Sequence, residues 1–189
     1  HVSSTGSCDD GISVGYGAHD VTIQWAFLAG NTRSIFMKYG ATTRVSIHHS
    51  WIMKQWVRGP LVSQSVMADL RNNIVEDWTM WGTRFESHSS GNAVGNLWRL
   101  SKYATSIGGK ANSALRISSD QPVFTSGNAF EGMADDGDVG NAAAPLDAPA
   151  VTTLPVGEMV PVVEGGAGCQ PRDAVDAAYA GMGSGWKVN

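Results

Sequence analysis

The sequence predicts an all-β protein, a right-handed parallel β-helix with an extended C-terminal tail and one short helix. Two observations support this prediction. Short runs rich in β-branched and apolar residues recur with a nearly constant period along most of the chain. Charged residues make up 16% of the chain and 23 of its 189 residues are glycine, which favours a turn-rich β protein over a charged helical bundle. A regular period of this kind is typical of stacked coils that share one core.

The recurring strand runs are each followed by a turn, and the turns set the period. The turns begin at Gln24, His48, Asn72, Gly95 and Gly127. The strand runs before them are Val21–Ile23, Val45–Ile47, Ala68–Leu70, Asn92–Val94 and Val123–Thr125. The last step is longer than the others, which indicates an insertion that we place at Lys102–Asn112.

Aligning the turns predicts two columns of stacked side chains. In a turn, asparagine tolerates the left-handed backbone, and stacked asparagines bond to one another through their amides. The first column is Trp25, His49, Asn73, Asn96 and Asn128. The second column is bulky and apolar and is predicted to fill the interior of the solenoid: Phe27, Trp51, Val75, Trp98 and Phe130.

The chain divides into a repetitive part and a tail. Residues 1–132 are predicted to form about five coils of β-helix. Residues 133–189 are rich in Gly, Ala, Asp and Pro and are predicted to form a surface tail. Within the tail, residues 171–180 are predicted to form one short helix, because Pro171 stands near its first position and Gly181 follows its end.

Composition excludes several classes of protein. The net charge is −4 and the 13 lysines and arginines are scattered, so we expect no nucleic-acid partner. No apolar stretch approaches the roughly 20 residues of a membrane helix, so we expect no membrane partner. The two cysteines, Cys8 and Cys169, do not form a disulfide framework or a zinc site. We expect no functional chemistry from them, and a bridge between them stays open as an alternative.

Eight segments together follow the pattern of a known family, in order and over nearly the whole chain: Asp9–Val14, Val21–Trp25, Val45–Trp51, Arg58–Pro60, Leu70–Val75, Asn92–Asn96, Ser126–Gly132 and Gly166–Asp176. In these segments the sequence resembles the pectate lyases of polysaccharide lyase family 1. His1 resembles a histidine that lies in the middle of the family's domain, so the chain corresponds to the C-terminal portion of such a lyase. The resemblance implies a secreted enzyme that cleaves polygalacturonate by Ca²⁺-assisted β-elimination.

The resemblance assigns a catalytic role to Arg58. Its position after His49 and before Pro60 has the family's spacing for the arginine that removes the C5 proton. A guanidinium is normally protonated, so this role needs neighbouring cations or Ca²⁺. The family also has a second arginine shortly afterwards, where this chain has Leu61–Ser63.

The remaining site residues also follow from the resemblance. Arg33 stands near the place of a substrate-binding lysine, Lys38 is its rival, and Trp56 is predicted to stack on a sugar ring, with Trp78 and Trp81 in similar loops. Asp9, with Asp10, is predicted to form one side of a Ca²⁺ site. Asp9, Arg33 and Arg58 are each separated by about one period, so we expect them to stack in one line on one sheet face.

Two further expectations concern histidines and partners. His48 and His49 are predicted to point to opposite faces of a strand, with His49 structural beside Asn73.

The alternative to a lyase is a non-catalytic β-solenoid, structural or carbohydrate-binding. Because the first coil would leave an open sheet edge, we expect another segment or another chain to cover it, or copies to stack into a filament.

Overall fold

The computed structural model describes residues 2–39, 41–101, 113–119, 121–132, 142 and 146. This part contains sixteen β-strands and no helix. The strands belong to three parallel sheets, in which neighbouring strands are three places apart in chain order. The prediction of an all-β parallel β-helix is therefore confirmed.

The chain visits the three sheets in a fixed order. Sheet A contains β1 (Val2–Thr5), β4 (Ala26–Ala29), β7 (Trp51–Met53), β10 (Ile74–Glu76), β13 (Leu97–Arg99) and β16 (Ala129–Glu131). Sheet B contains β2 (Asp10–Val14), β5 (Arg33–Met37), β8 (Leu61–Val62), β11 (Thr83–Phe85) and β14 (Leu115–Ile117). Sheet C contains β3 (His19–Gln24), β6 (Thr43–His48), β9 (Met67–Arg71), β12 (Ser90–Val94) and β15 (Val123–Ser126). The five strand runs predicted from the sequence all lie in sheet C.

The core is a stack of apolar side chains from alternate positions of each strand. In sheet A the inward column runs through Leu28, Ile52, Val75 and Trp98, and it ends at the partly buried Phe130. Alternation along a strand sends every second side chain inward, and some strands contribute two core residues, as Ile35 and Met37 do on β5. Removing this apolar surface from water is the main stabilising term for such a coil.

The predicted apolar column is wrong at one step. The sequence alignment places His48 opposite Asn72, whereas the register pairs His48 with Arg71. Trp51 therefore pairs with Ile74 rather than Val75, and it lies on the outer side of sheet A together with Phe27. A slip of one residue moves a side chain to the opposite face of a strand. Trp51 is nevertheless fully buried, and its ring centroid lies 5.2 Å from that of Phe27.

The asparagine ladder is confirmed for the three asparagines at the turn between sheets C and A. Asn73 Nδ2 donates to Asn96 Oδ1 at 3.0 Å, and Asn96 Nδ2 donates to Asn128 Oδ1 at 3.2 Å. Each Oδ1 also accepts a backbone N–H of the preceding coil, including that of Ser50. The ladder satisfies buried backbone groups that the turn takes out of the sheets.

The left-handed residues of this turn form a different column from the ladder. Positive φ falls one position before each ladder asparagine, and the column reads Trp25 (54°), His49 (51°), Asn72 (51°), Gly95 (64°) and Gly127 (62°). His49 therefore stands beside Asn72, and the expectation that it stands beside Asn73 is wrong. The ladder asparagines contribute their amides, and the left-handed backbone is supplied by the residue before them.

Most of the predicted tail lies outside the described residues, as do the expected helix at 171–180 and Cys169. Two tail residues are described, and both contact sheet C. The N–H of Leu146 donates to Asn92 Oδ1 at 2.8 Å, and Asn92 Nδ2 donates to the carbonyl of Leu146 at 3.1 Å. The N–H of Ala142 donates to the carbonyl of Val123 at 3.0 Å. Cys8 is exposed, and its bridge to Cys169 stays open.

We predict that Asn96→Ala lowers the free energy of unfolding by about 3 kcal/mol, because it removes the acceptor of the buried N–H of Asn73 and one donor to the carbonyl of Leu70. Denaturant unfolding followed by circular dichroism measures this change. Asn128→Ala should cost less, since Asn128 is less buried and ends the ladder. An unchanged free energy of unfolding in Asn96→Ala would show that the ladder does not stabilise the coil.

Candidate functional site

The outer face of sheet B carries the charged residues singled out in the sequence. Its central outward column pairs Ser13 with Phe36, Phe36 with Leu61, and Leu61 with Arg84, and none of these belongs to the core cluster. We call the surface formed by this column and its neighbours the sheet B strip, comprising Asp9, Asp10, Ser13, Arg33, Phe36, Lys38 and Arg58. Exposed aromatic side chains stand at both of its ends.

Two arginines and two aspartates form a pair of ion pairs on the strip. Arg33 Nη1 donates to Asp9 Oδ1. Arg58 Nη1 donates to Asp10 Oδ1 at 2.9 Å, and Ser13 Oγ donates to Asp10 Oδ2 at 3.1 Å. The side chains of Asp10 and Arg58 are 13% and 20% exposed, whereas that of Asp9 is 72% exposed. The Asp10–Arg58 pair is therefore the less screened of the two.

The position of Arg58 depends on a local turn of the backbone. Arg58 adopts φ 63°, and its carbonyl accepts the N–H of Ile35 at 2.8 Å. The peptide bond between Gly59 and Pro60 is cis. This turn places the guanidinium 4.0 Å from the ring centroid of Phe36, from where it reaches Asp10 two coils earlier. A guanidinium stacked on an aromatic face and paired with a carboxylate is held in one orientation.

The expected single line of Asp9, Arg33 and Arg58 is corrected by the register. Arg33 pairs with Asp10 in the preceding coil and bridges Val57 in the following coil. Asp9 and Arg58 are thus displaced by one residue to either side of the line. Long side chains restore the contacts, because Arg33 reaches Asp9 in the preceding coil and Arg58 reaches Asp10 two coils earlier.

Lys38 and Trp56 lie on either side of the arginines. Lys38 Nζ is 5.5 Å from the ring centroid of Phe36 and 5.1 Å from that of Tyr39. Trp56 is 57% exposed, and its backbone N–H donates to the carbonyl of Thr32, the residue directly before Arg33. Lys38 thus lies at one end of the strip, and Trp56 borders the other end.

The other two loop tryptophans differ from the expectation. Trp78 is buried in the core cluster, so the prediction that it could stack on a sugar is wrong. Trp81 lies under Arg84, whose guanidinium carbon is 4.7 Å from the ring centroid. Of these three tryptophans, Trp56 is the most exposed, and its stacking on a sugar stays a prediction.

The two aspartates by themselves do not make a calcium site. Ca²⁺ takes six to eight oxygen ligands. Among the described residues, no three His, Cys, Asp or Glu side chains are grouped to hold one metal ion. The carboxylates of Asp9 and Asp10 already accept hydrogen bonds from Arg33 and Arg58. The expectation that Asp9 and Asp10 form one side of a Ca²⁺ site therefore stays a prediction, and no chemical step is derived through it.

The two histidines are buried, and their geometry differs from the expectation. The two rings do not point apart, because His49 follows the last residue of β6 and its left-handed backbone turns its ring back. His48 Nδ1 lies 2.7 Å from His49 Nδ1, and both residues are buried. Burial, and secondarily the neighbouring His49, lowers the pKa of His48, while the carboxylate of Asp69 opposes that shift.

We predict that His48 makes the protein less stable in mild acid. Because the pKa of His48 in the folded protein lies below its ordinary value of 6.5, the unfolded chain binds more protons as the pH falls below that value. His48→Gln removes this proton uptake and copies Gln24, which pairs with His48 one coil earlier. Between about pH 7.5 and 5.5, wild type should lose more free energy of unfolding than the variant. Parallel pH profiles would contradict the prediction.

Comparison of the chain with protein-family models, curated proteins and solved structures finds no match. The pectate lyase resemblance therefore stays a prediction. Among the described residues there is also no helix with the length and apolar character needed to cross a membrane. What the fold establishes is a parallel β-helix with a cationic and aromatic strip on one sheet.

Proposed function

We propose that this chain is a secreted, pectate lyase-like protein that binds polygalacturonate on the sheet B strip and cleaves it by β-elimination. The observation that supports this best is the arrangement of Arg33, Lys38 and Arg58 on neighbouring strand and turn positions of one face. A polymer with one carboxylate per sugar requires cations repeated along its path. The proposal rests on the resemblance for the reaction and on the geometry for binding.

Binding begins with the exposed cations. Arg33 is 42% exposed at its side chain, and its planar fork matches a uronate carboxylate. Its present partner, Asp9, is highly exposed, so a substrate carboxylate exchanges with it at little cost. Lys38 adds a point charge beside the ring of Phe36.

The role of Arg58 has two stages in this proposal. The guanidinium, which is normally protonated, pairs with Asp10 and attracts the uronate carboxylate. To act as the base it must first release a proton to water, in a complex in which Asp10 no longer pairs with it. It then takes the C5 proton, the C4–O bond breaks, a C4=C5 double bond forms, and the leaving oxygen takes a proton from water. Asp10 is thus a positioning residue for the resting enzyme.

The alternative is a non-catalytic solenoid that stacks on another chain. The observation that favours it is the position of β1, β2 and β3, each at the edge of its sheet and all at the same end of the coil stack. Among the described strands, none pairs with their outer edges. Unpaired backbone groups on three sheets are a template for a further coil.

We predict that Arg58→Ala and Arg58→Lys each lower lyase activity on polygalacturonate more than about 100-fold, because each removes the proposed base. The ultraviolet absorbance of the unsaturated uronide product measures the rate, in parallel with Ca²⁺ and with a chelator. Arg44→Ala is the matched control, since Arg44 also pairs with an aspartate, Asp20, but on sheet C.

Three outcomes decide between the candidates. A variant of Arg58 with wild-type activity would show that this arginine is not the base. Wild-type protein that binds polygalacturonate without forming unsaturated product would favour the binding solenoid, and sedimentation would then show whether copies stack. Wild-type protein that neither binds nor cleaves the polymer would overturn the proposed function.

A further inference from the structure

Two tyrosines form an exposed stack at the end of the strip remote from Trp56. Tyr16 follows β2 and Tyr39 follows β5, and their ring centroids are 5.0 Å apart with an interplanar angle of 15°. Tyr16 is 85% exposed and Tyr39 is 39% exposed. Large exposed aromatic surfaces that contribute nothing to a core commonly mark binding sites.

The backbone holds these rings at positions that bulky residues seldom occupy. The N–H of Tyr16 donates to the carbonyl of Tyr39 at 3.1 Å, so the turns stack in register. Both tyrosines are left-handed, with φ of 56° and 72°, a conformation that glycine adopts at lower cost. Placing two tyrosines here is unfavourable for the turn, while it brings two aromatic rings together at this end of the strip.

The tyrosine pair continues into the cationic strip. The ring of Phe36 meets that of Tyr39 edge to face, at 5.6 Å and 84°. Lys38 Nζ lies 5.1 Å from the Tyr39 ring centroid, and no described residue forms an ion pair with it. The strip thus offers three cations and two carboxylates, and the unmatched positive charge is the lysine beside the tyrosines.

We propose that Tyr16, Tyr39 and Lys38 form a subsite for one carboxylate-bearing pyranose ring of an acidic polysaccharide. The C–H face of a pyranose is apolar and packs on an aromatic face, and the ammonium group pairs with its carboxylate. The charge of the strip favours this occupant over a neutral glycan. The proposal rests on the proposed function in one respect, the uronate nature of the ligand.

This subsite adjoins the one at Arg58. The guanidinium carbon of Arg58 lies 4.0 Å from the ring centroid of Phe36, which in turn lies 5.6 Å from the ring centroid of Tyr39. The tyrosines therefore hold a sugar next to the one at the proposed base. Their role is to fix the position of the polymer on the strip, and they belong to binding rather than to proton transfer.

The test compares two probes by calorimetric titration: a galacturonate oligosaccharide and the neutral oligosaccharide of equal length made by reducing its carboxylates. Tyr16→Ala and Tyr39→Ala should each weaken binding of both probes about tenfold, and Tyr39→Phe should keep the wild-type affinity. Lys38→Gln should weaken binding of the charged probe and leave the neutral one unchanged. Arg44→Ala is the control for a distant change of charge.

Each result supports or overturns the subsite. Wild-type affinity in both alanine variants, with or without a lower melting temperature, would show that the tyrosines merely stabilise the turn. No binding of either probe by the wild type would overturn the subsite as well. If binding depends on the tyrosines but polygalacturonate is not cleaved, the proposed lyase function fails and the subsite stands. If the variants lose only cleavage, the subsite is wrong and the lyase proposal stands.

Discussion

The in-register stacking of one turn on the next holds this β-helix together, and everything on its surface depends on it. At the turn between sheets C and A, Asn73, Asn96 and Asn128 form a continuous chain of amide hydrogen bonds. The same side chains satisfy backbone N–H groups of the coil before, so each coil is locked to its neighbour at one relative position. A shift of one residue would break these bonds and reverse the faces of the strands.

The three sheets use their outer faces differently. On sheet C the outward Ser46, Asp69 and Asn92 are buried, and Asn92 bonds to Leu146 of the tail. On sheet A the outward Glu76 is buried between Trp51 and Arg99, and burial raises its pKa although both partners oppose the shift. These parts of the two faces are engaged within the protein.

Sheet B differs because its outer face is bordered by charged and aromatic groups that reach solvent. Arg33 lies on β5, and Lys38 follows the end of that strand. Trp56 stands at one end of the same surface, and the two tyrosines stand at the other. Asp10 and Arg58 form its less exposed centre. A surface with a fixed, partly buried ion pair and exposed groups around it suits an extended anionic polymer better than a small molecule in a pocket.

The sequence alone determined the coil period, the strand runs of sheet C and the asparagine ladder. These follow from local chemistry, because strand propensity and turn-forming side chains recur at fixed distances whatever the coils do elsewhere. It also singled out Arg58, Arg33 and the two aspartates, although their roles stay proposals. It could not find the tyrosine pair, since Tyr16 and Tyr39 lie one coil apart and carry no motif.

Only the tertiary structure decided the register of each step and what each side chain faces. A repeat step that is one residue longer or shorter satisfies the sequence pattern equally well. That one residue nevertheless decides whether a tryptophan faces the core, as Trp98 does, or the outer side of the sheet, as Trp51 does. The same small difference decides that Arg58 pairs with Asp10 while Arg33 pairs with Asp9. Register is set by backbone pairing between coils that are distant in sequence, and no local preference encodes that pairing.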